Sequence, residues 1–297
     1  MGAVGWSAVS AFLGGLGIVL QQKGAMAAPP ARSRGFVASL ARNPVWLAGG
    51  ACQLGCWASQ GIALSRGPLS LVQPIVALQI VIALPLGVAI TSQRVGRREW
   101  IGAALVAIGV TVFVATTHAS SGRSTAPAGV WLAATAAIAV AVAAAAIVGA
   151  RMRPSAKAAF YGAAAGVLFG FQAAVMNTFV SVVPNGIGAI LSSWSTYALI
   201  LSALGGFYLM QTSLQVGVLA PAIAASNAAC PITSVALGRV IFLETPARTT
   251  GGKIVSAVSL VLLVVGLALV ARGEAAAAFR QEDRADPQCP PRADAQP

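Results

Sequence analysis

The sequence predicts an all-α polytopic membrane protein with nine transmembrane helices in a 4+1+4 arrangement that contains an inverted repeat. Hydrophobic residues make up 57% of the 297 residues, charged residues only 9%, and the mean hydropathy is +0.81. Soluble domains contain about 25% charged residues, and a helix needs about 20 apolar residues to cross a bilayer. Nine stretches meet that length: 3–22, 45–65, 68–91, 99–116, 128–149, 155–181, 189–212, 217–243 and 252–271.

The boundaries between these stretches fall on polar, basic or helix-breaking residues. A basic segment, 23–44, follows the first stretch, and a segment rich in Ser, Gly and Thr, 117–127, follows the fourth. The other boundaries are short, and most of them contain Gly, Pro or Arg. After the ninth stretch the composition becomes polar over 272–297, which predicts a disordered tail because it has little apolar surface to bury.

The first four stretches resemble the last four at a shift of about 150 residues. The segment LFGFQAAVMN (168–177) overlies LGGLGIVLQQ (13–22), and Gln60 matches Gln211. Since an odd number of stretches separates the two copies, the second copy enters the membrane from the opposite side. We therefore divide the membrane domain, 1–271, into repeat one (3–116), a linking helix (128–149) and repeat two (155–271). Inverted repeats are typical of secondary transporters.

The distribution of basic residues predicts the orientation of the chain. Ten of them fall in alternate loops and four in the loops on the other side, and cytoplasmic loops carry the excess of Lys and Arg. This predicts a multi-pass protein of the plasma membrane with its N-terminus outside and its C-terminus in the cytoplasm. The net charge of +12 is thus explained by topology in the lipid bilayer, and no nucleic-acid partner is expected. The ten are Lys23, Arg32, Arg34, Arg42, Arg94, Arg97, Arg98, Arg151, Arg153 and Lys157.

Ionisable side chains suited to catalysis are scarce in the membrane domain. Five of the seven acidic residues lie in the tail, which leaves Glu99 and Glu244, and the single histidine is His118 in a loop. This excludes a paired-aspartate protease and a zinc protease of the HExxH type, and no phosphate-binding GxxxxGK[ST] loop occurs. The sequence therefore predicts neither an enzyme nor a cofactor, and it leaves any metal ligands unknown.

Uncharged polar residues inside the apolar stretches are the candidates for a substrate cavity. An amide in hydrocarbon costs free energy unless it meets a partner or water. Interhelical hydrogen bonding is the alternative role for each of them. As a set they predict a polar central cavity lined by Gln53, Gln60, Gln79, Gln172, Asn177, Gln211 and Asn227.

Prolines and one ion pair are the candidates for gating and coupling. Pro74 and Pro221 lie in stretches three and eight, and interruptions in corresponding helices of two halves point to a transport site. Simple kinks are the alternative. Arg239 and Glu244 lie five residues apart at one end of stretch eight, where they would pair or form an external gate. The alternative is that Arg239 reaches toward the interface while Glu244 caps the next turn.

Three segments resemble the drug/metabolite transporter superfamily (EamA-like). FLETPARTTGGKIVSAVSLVLLVVGLALV (242–270) is similar to its repeat signature, an acidic residue and a turn before a helix that ends in an apolar-Gly-apolar run. GPLSLVQP (67–74) and VGVLAPAI (216–223) resemble its helix-start motif. The first copy departs from the pattern at Gln93, the position that corresponds to Glu244.

Within that superfamily the chain most resembles the NIPA-like magnesium transporters. LGGLGIVLQQKGA (13–25) and NPVWLAGG (43–50) are similar to the end of their first helix and the start of their second. FYGAAAGVLFG (160–170), Gln211 and the pair Ala220-Pro221 resemble their second half. This resemblance implies magnesium as a substrate.

The sequence thus predicts a secondary transporter of a small molecule that works by alternating access. A NIPA-like Mg²⁺ transporter is the alternative, and it stands slightly behind because Mg²⁺ prefers hard oxygen ligands, usually with a carboxylate. A membrane subunit or sensor that transports nothing is a third hypothesis. The expected partners are a small-molecule or ion substrate and the lipid bilayer, and the sequence leaves a homodimer open.

Overall fold

A computed structural model describes residues 2–27, 39, 41–91, 95–116, 123, 126–215, 219–244 and 249–285. The regular structure in these ranges is helical throughout, without a strand, which confirms the all-α prediction for this part of the chain. The helices are α1 (Ala3–Met26), α2 (Pro44–Leu64), α3 (Leu69–Val76), α4 (Gln79–Thr91), α5 (Arg97–Thr116), α6 (Ala128–Ala150), α7 (Pro154–Val182), α8 (Ile187–Ser192), α9 (Trp194–Gln215), α10 (Leu219–Phe242) and α11 (Thr250–Ala285).

Within the described residues, six helical segments are long and apolar enough to cross a bilayer, which is typical of a membrane protein. One of these segments combines α3 and α4. The helices α2, α9 and α10 are also 21 to 24 residues long. The six segments are Ala3–Gly24, Leu69–Thr91, Arg97–Ala115, Ala128–Ala150, Ala156–Asn185 and Thr250–Val270.

Two of the predicted stretches are not single helices. The stretch 68–91 is divided into α3 and α4, and the stretch 189–212 is divided into the short α8 and the long α9. Ser193, between α8 and α9, has an extended backbone with ψ 132°, and its hydroxyl lies 2.7 Å from that of Ser195. Serine side chains that hydrogen-bond to nearby groups compete with the backbone bonds of a helix, so serine is favoured at helix ends over helix interiors.

Helix packing divides the described bundle into two groups and a pair. In the first group α1 contacts α2, α3 and α4, and in the second α7 contacts α9 and α10. The helices α5 and α11 form the pair, which reaches the second group through α10. Contacts of α3 with α10 and of α2 with α7 join the two groups.

Glycines allow close contacts between helix backbones, and three of them recur every four residues along α7. A Cβ on Gly162, Gly166 or Gly170 would meet the backbone carbonyl oxygens of α10 at Ala222, Ser226 and Cys230 respectively. On the α5–α11 pair, Gly102 and Gly266 face each other, and a Cβ on either would lie within 2.7 Å of the other's carbonyl oxygen. Such close contact between backbones is typical of helix association in membranes.

The last helix extends into the segment 272–297, which the sequence predicted to be a disordered tail. Helix α11 does not end near residue 271 but continues to Ala285. The run 275–278 consists of alanine, the residue with the highest helix propensity, which explains why the helix extends. The 36 residues of α11 have a length of about 54 Å, well beyond the 30 Å of a hydrocarbon core. Residues 286–297 lie outside the described residues.

Candidate functional site

The span that contains α3 and α4 is interrupted at Ala77 and Leu78. The amide of Leu78 donates to the carbonyl of Ile75 at 3.0 Å and that of Ile80 to Ala77 at 3.3 Å, so the helix changes locally to three-residue turns. Pro74, one turn earlier, has no N–H to donate to the carbonyl of Ser70. The interruption therefore lies in the stretch where the sequence predicted one.

The sequence also predicted an interruption in stretch eight, and the backbone there is not interrupted. Helix α10 runs unbroken from Leu219 to Phe242 and includes both Pro221 and Pro231. Pro221 lies in the first turn of the helix, where a missing N–H costs no helical hydrogen bond. Pro231 lies in the interior, and the hydroxyl of Ser234 donates to the neighbouring Cys230 carbonyl at 2.8 Å.

Helix α1 brings two of the predicted cavity residues to adjacent turns. The Oε1 atom of Gln79 packs against Gly14 at a point where a Cβ would collide with it, and the Sγ atom of Cys56 lies 3.1 Å from the same point. The backbone of Gln53 packs against Gly17, and the Oε1 atom of Gln53 is buried without a hydrogen-bond partner. The amide of Gln79 thus lies beside the interruption of α3–α4, and the backbone of Gln53 lies one turn further along α1.

The other predicted cavity residues are dispersed over the bundle. Gln60 lies next to Gly61, where α2 contacts Met176 and Val180 of α7, and this places Asn177 at the same helix crossing. Gln60, Gln172, Asn177 and Asn227 are all half-buried, whereas Gln211 is exposed on α9. The structure therefore places Gln53 and Gln79 against neighbouring turns of α1 and places Gln60 and Asn177 near the crossing of α2 and α7, but it does not gather the whole predicted set.

The predicted contact between Arg239 and Glu244 is absent. Arg239 is exposed and forms no ion pair with Glu244, while Glu244 is only 2% exposed. Its Oε1 atom accepts a hydrogen bond from the amide of Leu69 at 2.7 Å, and Oε2 accepts one from the amide of Ser70 at 2.8 Å. Glu244 is a helix cap, but for α3 and not for the turn that follows it. We refer to this end of the bundle, where α3 begins and α10 ends, as the Glu244 end.

A left-handed turn at the end of α10 directs Glu244 toward α3. Leu243 has φ 57°, a conformation that costs a non-glycine residue about 1–2 kcal/mol. The amide of Glu244 donates to the carbonyl of Gly238 at 3.1 Å. Gly238 has no side chain where the carboxylate lies, since a Cβ there would come within 3.2 Å of the Glu244 carboxyl carbon.

Arg123 fixes the same turn, and sequence reasoning did not single it out. Its Nε atom donates to the carbonyl of Ile241 at 2.6 Å, and its amide donates to the carbonyl of Phe242 at 2.8 Å. The last carbonyls of a helix lack intrahelical donors and attract cations. The signal in the sequence was a single arginine in the segment 117–127.

Aromatic side chains make the Glu244 end well packed. The ring of Trp131 contacts three other rings edge-on, with centroid distances of 4.9 Å to Trp194, 6.0 Å to Phe242 and 6.2 Å to Phe171. The guanidinium of Arg66 lies 5.6 Å from the centroid of the Trp6 ring. Edge-on ring contacts and cation–π contacts of this kind stabilise a fixed arrangement.

The second membrane-domain carboxylate, Glu99, lies in the first turn of α5. It is buried, and a Cβ on Gly96 would lie 2.7 Å from its Oε2 atom. Within the part of the chain that the structure describes, no three His, Cys, Asp or Glu side chains cluster in a way that could hold a metal ion.

The comparisons with known proteins give one informative relative. The chain is 26% identical over 231 residues to an uncharacterized protein of Corynebacterium glutamicum, an alignment that covers 77% of this chain and 80% of that protein. No family model and no solved structure matches the chain.

Proposed function

We propose that this protein is a secondary transporter of a small organic solute that works by alternating access. The observation that carries the proposal is the interrupted span α3–α4, which has the amide of Gln79 directly after the interruption, packed against Gly14 of α1. Irregular backbone at membrane depth is tolerated where it is buried in protein or lines a cavity. Substrate sites of secondary transporters are typically formed by such discontinuous helices.

The packing of the helices supports a repeat within this architecture. The first group, α1 with α2 and α3–α4, has the same order along the chain as the second, α7 with α9 and α10. The last helices of the two proposed repeats, α5 and α11, contact each other. A 4+1+4 arrangement of nine spans, with α6 as the linking helix, accounts for these contacts. It is also the arrangement that the resemblance to the drug/metabolite transporters implies.

The chemistry of the described side chains favours an organic solute over Mg²⁺. Both oxygens of Glu244 already accept backbone hydrogen bonds, and Glu99 lies at the start of a helix. The Gln79 side chain beside the interruption is an amide, which recognises hydroxyl, amine and carbonyl groups through hydrogen bonds. The predicted orientation in the plasma membrane places the Glu244 end outside.

Transport by the purified protein in liposomes tests the proposal. Uptake of ¹⁴C-labelled amino acids, polyamines and nucleosides would be measured one class at a time, and Mg²⁺ entry would be followed with a trapped dye, with Ca²⁺ as control. We expect saturable uptake of one organic class. Pro74→Ala should reduce it at least about tenfold, because it gives the Ser70 carbonyl a helical donor and allows α3 to straighten.

Pro85→Ala is the matched control, since Pro85 lies in the same span but is exposed within α4. Equal losses in the two proline variants would contradict the role given to the interruption. Saturable Mg²⁺ entry without organic uptake would overturn the organic assignment in favour of the NIPA-like alternative. Absence of every flux from inserted, folded protein would favour a membrane subunit that transports nothing.

A further inference from the structure

Helix α3 begins without a cap of its own. The first amides of a helix lack intrahelical acceptors and usually receive one from a Ser, Thr, Asp or Asn at the N-cap. The N-cap residue of α3 is Pro68, which makes no side-chain hydrogen bond. The acceptors come instead from Glu244, which lies 175 positions from Leu69 along the chain.

This borrowed cap belongs to the end of α10. Glu244 follows the left-handed turn at Leu243, its amide is bound to Gly238, and Arg123 holds the carbonyls of the last turn. The carboxylate can therefore reach the amides of Leu69 and Ser70 only while the end of α10 is docked against the start of α3. A capping side chain at position 68 would bind the amide of Ser70 wherever α10 lies.

We propose that Glu244 is a latch that couples the first turn of α3 to the position of α10, and that the latch is closed in this structure. Its use as the outer gate of a transport cycle rests on the proposed function, whereas the coupling itself does not. When the end of α10 moves away, the amides of Leu69 and Ser70 lose both acceptors and the first turn of α3 opens.

Two polar side chains on α3 fit a two-state element. The Oγ atom of Ser70 and the Nε2 atom of Gln73 are buried without a hydrogen-bond partner, and the two residues are three apart, on neighbouring positions of one helix face. An unsatisfied buried polar group costs free energy that water would recover. Opening the first turn gives both groups access to water, which offsets part of the loss of the two Glu244 hydrogen bonds.

The cations described near the Glu244 end do not pair with the Glu244 carboxylate. Arg66 lies over Trp6, Arg123 binds the α10 carbonyls, and Arg239 and Lys253 are exposed. None of these four forms an ion pair with Glu244 in the described structure. The partners of the carboxylate are the two backbone amides, so the latch depends on their geometry and on the partial positive charge of a helix N-terminus.

Hydrogen–deuterium exchange of the full-length protein in lipid nanodiscs tests the latch without any substrate. In Glu244→Gln an amide NH₂ group replaces one carboxylate oxygen. It cannot accept a hydrogen bond from the backbone N–H that it faces. We expect exchange at Leu69 and Ser70 to rise about 10- to 100-fold, the equivalent of one lost charge-assisted hydrogen bond. Glu99→Gln, at the other buried carboxylate, should leave these two amides unchanged. Glu244→Asp keeps the charge but shortens the side chain, and we expect it to raise exchange at the same two amides. It replaces Glu244→Gln as the test if that variant does not fold.

A second variant separates a coupling latch from an ordinary stabilising contact. Adding Pro68→Ser to Glu244→Gln supplies a local cap for the second and third helical amides. It should restore slow exchange at Ser70, while the faster exchange that the lost contact causes at 238–244 remains. Unchanged exchange at 69–70 in Glu244→Gln would overturn the latch, as would an equal rise in every helix or restored protection at both segments. The exchange experiment measures no flux. Its result therefore tests the latch even if the transport assay shows that the protein carries no solute.

Discussion

The span α3–α4 and the helix α10 both carry two prolines, yet one is interrupted and the other is continuous. In α10 the backbone is supported along its length by the glycines of α7, which contact it at Ala222, Ser226 and Cys230. In α3–α4 the adjacent surface of α1 is the pair Gly14-Gly15, against which the side chain and carbonyl of Gln79 pack. A proline therefore weakens a helix, but the neighbouring helix determines whether the helix breaks.

The largest expected effect concerns the support of α10. In Gly166→Ala the new Cβ would collide with the carbonyl oxygen of Ser226 and lie 2.9 Å from the Cβ of Ala229, so α7 and α10 must separate. Overpacking costs about 1–3 kcal/mol, and a collision with a backbone carbonyl, which cannot turn aside, belongs at the upper end of that range. The higher helix propensity of alanine returns about 1 kcal/mol. We expect a net loss of stability, measured as a lower midpoint of thermal unfolding in detergent.

Gly129→Ala is the control for that variant, because no atom lies within 4 Å of a Cβ on Gly129. It should keep or slightly raise the unfolding midpoint. If Gly166→Ala is as stable as this control, α7 does not support α10 through backbone contact, and the explanation of its continuity fails.

A smaller effect is expected at the end of α10. Arg123→Ala removes the hydrogen bond to the Ile241 carbonyl but keeps the backbone bond to Phe242. Losing one charge-assisted bond costs about 1.5 kcal/mol, which should lower the unfolding midpoint by about 2–5 °C for a chain of this size. Arg123→Lys keeps the charge near the helix end and should lose less. Equal midpoints for the wild type and Arg123→Ala would contradict the role of Arg123 in fixing the turn.

Much of the helical fold followed from hydropathy, because a bilayer requires long apolar helices whatever their neighbours are. The predicted stretch 128–149 corresponds to α6 within one residue, and 99–116 corresponds to α5 within two. Hydropathy is insensitive to short interruptions, so the breaks at Ala77–Leu78 and Ser193 fell inside stretches that remained apolar overall.

The candidate site depended on contacts between distant segments, which one sequence does not encode locally. Glu244 was recognised as an unusual residue, but its partners Leu69 and Ser70 could not be deduced, because both donate through the backbone. The available signal was a missing feature: Pro68 starts a helix without any capping side chain. A helix start of that kind predicts a remote acceptor, and a scarce buried carboxylate is the natural candidate.

The smallest effect on stability is expected at Gly14. This residue packs against the Gln79 amide, to which the transport proposal gives a role in solute binding. Gly14→Ala would place a Cβ where the Gln79 Oε1 atom lies, and the end of this flexible side chain can turn aside. We expect the unfolding midpoint to change little but solute uptake to fall, because the amide beside the interruption is displaced. Gly50→Ala is the control, since the nearest atom to a Cβ there, Gln21 Nε2, is 3.9 Å away. Normal uptake in Gly14→Ala would mean that Gln79 only fills space against α1. In that case the break in α3–α4 would be a consequence of helix packing, and the solute pathway would have to lie nearer the crossing of α2 and α7.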